Sequence, residues 1–70
     1  MSLAQTEVIE HDAANGVSIE RETLTDYSQV FNVAFTDESQ QRATLYAVDE
    51  KAAYRAYGFL RRAVESARGE

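Results

Sequence analysis

The stretch from Asp49 to Ala67, DEKAAYRAYGFLRRAVESA, constrains the fold more than any other part of this 70-residue chain. At about 100° per residue, Phe59, Ala52, Ala63, Ala56, Ala67, Leu60, Ala53, Val64 and Tyr57 fall within one arc of roughly 160°. Glu50, Lys51, Tyr54, Arg55, Gly58, Arg61, Arg62 and Glu65 occupy the remainder. Only one side of such a helix wants burial, so the rest of the chain must supply a surface for it to lie on. Asp49 is placed to cap the first turn with its carboxylate. Glu50 suits the positive end of the dipole, and Arg61, Arg62 and Arg68 gather toward the negative end. Gly69 stands where a chain leaves a helix. An Arg61–Glu65 pair at i, i+4 is expected on the outer face, and Gly58 reads as a tolerated glycine on that face.

The surface for the helix is read from the preceding residues. Thr6–His11 reads as a short strand. Asn15-Gly16 is a strong turn signal, since both residues tolerate positive φ. Val17–Leu24 alternates, with Val17 and Ile19 on one side and Ser18, Glu20 and Glu22 on the other. Gln29–Thr36 is the clearest strand: Phe31, Val33 and Phe35 line one face, and Val30, Asn32 and Ala34 the other. After the polar loop Asp37–Gln40, the segment Arg42–Val48 presents Ala43, Leu45 and Ala47 on one side and Thr44, Tyr46 and Val48 on the other. The register that sets Phe35 opposite Ala43, Val33 opposite Leu45 and Phe31 opposite Ala47 collects the apolar residues on one side, and a slip of one residue would scatter them. The expected fold is therefore α+β: a four-stranded antiparallel sheet of two hairpins with one C-terminal amphipathic helix on one face, in the order ββββα. The chain reads as one small domain, with residues 1–5 disordered.

A domain of this size buries only about 60% of the surface its unfolded chain exposes, so its core is marginal alone. Cysteine is absent, which removes both disulfides and thiolate metal sites. Oligomerisation is the remaining way to enlarge a small core. The sheet face away from the helix would show Val30, Ala34, Thr44, Tyr46 and Val48, more apolar than a solvated face usually is. Those five residues are the candidate interface of a homodimer.

Charge is uneven along the chain. Residues 1–41 carry a net −7 and residues 42–69 a net +3, within a total of −5. Such halves can complement each other within the fold, between copies, or on a partner. On the helix, Lys51, Arg55 and Arg62 lie within about 40° of one another around the axis, and Tyr54 shares the outer surface. These four are candidate partner contacts with another protein. The basic row alone is the basis for an alternative function, a small nucleic-acid-associated regulator.

Chemistry is sparsely furnished. His11 is the single histidine, and without cysteine it makes a poor nucleus for a transition-metal site. No Gly-x-Ser-x-Gly turn, Gly-rich phosphate loop or Asp-rich calcium loop is present. Glu20/Glu22 and Asp37/Glu38 read as solvated acids rather than catalytic pairs, because splitting their pKa values would need burial. No catalytic residue, cofactor or metal is expected, and the chain reads as no enzyme. No apolar run approaches the roughly 18 residues of a membrane span, and no basic segment followed by an apolar one marks a secretory signal. A soluble cytoplasmic protein with no membrane contact is expected. The reading that follows is a small non-catalytic interaction module, acting as a homodimer.

Overall fold

The computed structural model of the chain describes residues 3–69. The alternating segments become strands β1 (Leu3–Asp12), β2 (Val17–Leu24), β3 (Gln29–Thr36) and β4 (Arg42–Ala47), followed by the helix α1 (Glu50–Gly69). The strands form one antiparallel sheet in the order β1-β2-β3-β4, so the Thr25–Ser28 connection is itself a hairpin turn and the sheet is a simple meander. The ββββα order and the β3–β4 register both agree with the sequence: Phe31 faces Ala47, Val33 faces Leu45 and Phe35 faces Ala43. β1 begins at Leu3 rather than Thr6. The expectation for Met1 and Ser2 lies outside the described residues.

The core forms where the side chains of β2 and β3 meet the helix. Val17, Ile19 and Val33 are fully buried, and Phe31, Ala47, Ala53 and Tyr57 close over them. Ala53 has no side chain beyond Cβ to hold the helix off, so α1 settles low on the sheet. The cap forms as expected: the Asp49 carboxylate accepts from the Ala52 amide at 2.8 Å, and the Asp49 carbonyl accepts the first helical bond from Ala53 at 3.0 Å.

The buried stripe of the helix is rotated from the arc read in the sequence. Ala52, Ala53, Ala56, Tyr57, Leu60 and Val64 pack inward, while Phe59 stays exposed. Leu45, expected in the core, is half exposed. The physical reason is width. Three inter-strand spacings make a sheet about 14 Å across, and a helix is about 10 Å in diameter. One helix cannot cover four strands: α1 lies over β2 and β3, meets β4 at the buried Ala47, and leaves both edge strands largely open.

Two glycines have opposite roles. Gly16 sits at φ 71° in the β1–β2 turn, with its amide donating to the Asp12 carbonyl at 2.9 Å. Its carbonyl accepts from the Thr36 amide at 2.8 Å, and a Cβ there would run into the Thr36 carbonyl oxygen. Gly58 is helical, and an added Cβ would meet only Arg62 Nη1, at an ordinary 3.6 Å. Gly16→Ala should lose about 1–3 kcal/mol of stability through a strained backbone. Gly58→Ala should gain up to about 1 kcal/mol from helix propensity. Urea denaturation followed by circular dichroism reads both signs.

Candidate interaction site

The β1–β2 turn is fastened to the end of the helix. β1 is bulged between Val8 and Glu10, which brings Glu10 opposite Ile19 and Asp12 opposite Val17, on the helix side of the sheet. Arg61 Nε donates to Asp12 Oδ2 at 2.6 Å, and Asn15 Nδ2 donates to Asp12 Oδ2 at 2.9 Å and Glu65 Oε2 at 3.0 Å. Arg68 donates to the Asn15 side-chain oxygen and to the Ala14 carbonyl. Arg61 therefore bonds across to Asp12 rather than along the helix to Glu65, which takes Asn15 instead. The Arg61 guanidinium, helped by the Asn15 amide, holds the Asp12 carboxyl below its usual range. Arg61 also lies over the Tyr57 ring, 5.6 Å from its centroid.

Tyr54 is exposed, as the sequence suggested, and has contacts along one edge. Its ring stands edge-on to Tyr57 at 6.3 Å, and its hydroxyl points to Glu10 Oε1 at 3.5 Å. Desolvation, with Glu10 and Glu50 nearby, pushes its hydroxyl pKa up. Lys51, Arg55 and Arg62 do remain on the outer face, exposed, with no ion-pair partner among the described residues.

The open sheet face is more polar than its alternation implied. Arg42 donates to both Glu20 oxygens at 3.0 Å, and Asn32 donates to Glu22 at 2.9 Å. These diagonal ties cross the middle of the sheet, so Glu20 and Glu22 are engaged rather than merely solvated. Of the candidate interface residues, Ala34 is only 1% exposed and can offer little contact, and Val30 is partly buried. Thr44, Tyr46 and Val48 are exposed and lie together on or just beyond β4.

Four exposed apolar residues lie on the β4 side of the molecule, while Val8, 57% exposed, stands on the opposite edge strand β1. Leu45 is 51% exposed, Tyr46 65%, Val48 76% and Phe59 65%. Leu45 points to the helix side of the sheet and Tyr46 to the open side, and Val48 follows in the bend beyond β4. Phe59 lies on the flank of α1 away from the residues that bond β1. Toward the end of the helix, between the β1–β2 turn and the β3–β4 loop, lies a groove of about 1000 Å³ floored by Phe35, Leu60 and Val64 and bordered by Asn15 and Arg68. Leu45 and Phe59 were missed as surface residues because alternation alone assigns them inward. The mismatch between sheet width and helix width was the available signal. Tyr27, at the tip of the β2–β3 turn with φ 69°, was also missed as an exposed aromatic.

His11 is exposed on the open face opposite Ser18. Among the described residues no group of three His, Asp or Glu side chains converges as metal ligands would, and no helix is long and apolar enough to cross a membrane. Compared with models of known protein families, with curated proteins and with solved structures, the chain matches none.

Asp12 supplies a test of the fastening. Its pKa is depressed in the folded state, so its contribution to stability is complete above the unfolded value of 3.8 and fades as pH falls through the folded one. Asp12→Asn should therefore be less stable than the parent at neutral pH. The gap between the two should narrow in acid, which urea denaturation at a series of pH values will read.

Proposed function

We propose that this chain is a small non-catalytic protein-interaction module that acts as a homodimer in the cytoplasm. The observation that carries the reading is the gathering of Leu45, Tyr46, Val48 and Phe59, each more than half exposed, at the β4 side of the molecule. Scattered apolar residues on a surface need no explanation, but four along one side of a domain with so small a core favour association. A second copy supplies apolar surface of the same kind and enlarges the core without covalent reinforcement. Sedimentation at micromolar concentration should give a mass near twice the 7.8 kDa of one chain. Leu45→Lys changes a half-exposed position, so it should leave the fold intact and return the mass to 7.8 kDa. A parent protein that sediments as a single chain overturns the reading.

The row Lys51, Arg55 and Arg62 favours a second reading, a small nucleic-acid-associated regulator. All three cations project from the outermost face of α1, away from the acids of β1. Each phosphate they neutralise would contribute about −0.9 to the slope of log affinity against log salt on duplex DNA. Gel shifts at low salt decide this reading, and no retention of any nucleic acid removes it.

A further inference from the structure

The two edges of the sheet are built differently. β1 carries register shifts at Leu3/Gln5 and Val8/Glu10, and has Glu7 and Glu10 along it. Bulges and charges of this kind are how edge strands avoid pairing with other chains. β4 has no register shift, no proline and no carboxylate, and its single charge, Arg42, stands at one end. On a chain of net −5, it is a segment where two copies can meet without opposing carboxylates.

The backbone of β4 has a defined phase. The Asp37 amide donates to the Gln41 carbonyl at 3.0 Å, and the Thr36 amide to the Gly16 carbonyl at 2.8 Å. Hydrogen-bonded pairs recur at every second residue of an antiparallel ladder. Ala43, Leu45 and Ala47 therefore bond toward β3, and Arg42, Thr44 and Tyr46 turn their N–H and C=O groups outward.

We infer that two copies join edge to edge through β4, antiparallel about a two-fold axis at Thr44, into one continuous eight-stranded sheet. This inference rests on the homodimer reading above and specifies its geometry. In this register Thr44 faces Thr44, Arg42 faces Tyr46 and Ala43 faces Leu45, each pair occurring in both directions. All three outward-facing residues find partners within the strand. Directly opposed residues share a face of the sheet, and these pairs match in kind: hydroxyl with hydroxyl, cation with aromatic, small with large. The two Arg42 side chains are kept apart, and each can retain its Glu20. On the helix side, Leu45 and Phe59 of both copies come to one seam between the two helices. A β1-to-β4 contact would instead be head-to-tail and would not close.

The chain has no cysteine, so one can be placed at will. In the proposed register the two Thr44 Cα atoms are about 5.5 Å apart. Thr44→Cys treated with a short bismaleimide should give a covalent species at twice 7.8 kDa. Val30→Cys, kept from its counterpart by three strand spacings across and eight residues along, about 30 Å in all, and Val8→Cys, on the far edge, should stay single. Thr44→Pro removes an outward amide and spares the β3 ladder. It should keep the circular dichroism of the parent while its mass in solution falls by half. A parent that is dimeric but cross-links at Val30 or Val8 and not at Thr44 overturns the edge-to-edge arrangement and leaves the homodimer standing. So does a folded Thr44→Pro that remains dimeric. A parent that is monomeric overturns both.

Discussion

The seating of α1 on β2 and β3 is the contact on which the molecule depends. Val17, Ile19 and Val33 have no exposure at all, and they owe this to Ala53 and Tyr57 lying directly over them. Burying three aliphatic side chains of this size contributes on the order of 5–9 kcal/mol of transfer free energy, opposed by the entropy of ordering the chain. The same seating leaves the margins of the sheet uncovered, so the position of the helix decides which strand is left open.

Polar contacts tie the helix to the first strand and its turn. The acid-rich first half and the base-rich second half meet in Asp12–Arg61 and Glu20–Arg42, the first between sheet and helix, the second across the open face. Asn15 is buried among the groups that join the turn to the helix end, and Tyr54 leans to Glu10 from further up. Among the described residues, the helix-to-sheet polar contacts lie on the β1 side. A single exposed ion pair contributes little, but Asp12–Arg61 together with the hydrogen bonds of Asn15, Glu65 and Arg68 on the same flank orients a helix that apolar packing alone would leave free to roll. The apolar flank with Phe59 and Ala63 is the consequence on the other side.

Much of this was legible in the residues. The helix, its Asp49 cap, the Asn15-Gly16 turn and the β3–β4 register follow from periodicity and turn chemistry, because only one phase of each pattern gathers Phe31, Val33 and Phe35 with Ala43, Leu45 and Ala47. The rotation of the helix was not legible, since it depends on Asp12, Asn15, Arg61, Glu65 and Arg68 meeting across about 50 residues of sequence. Nor could alternation reveal that Ala34 would be covered by its neighbours, or that Glu20 and Glu22 would be tied to Arg42 and Asn32. For the candidate site, Thr44, Tyr46 and Val48 were in view. Leu45 and Phe59 were hidden by the assumption that every inward-pointing residue finds something to cover it.

The meander has a consequence for how the chain orders itself. Every strand lies beside the one before it, so pairing proceeds through closures of a few residues each, which cost little entropy and keep contact order low. The bonds from Arg61 to Asp12 and from Asn15 to Glu65 close loops of about 50 residues. They have nothing to grip until the ribbon is in place. Since the sheet has no apolar core until the terminal spiral covers it, the closure that spans most sequence is also the one that makes the shorter ones hold.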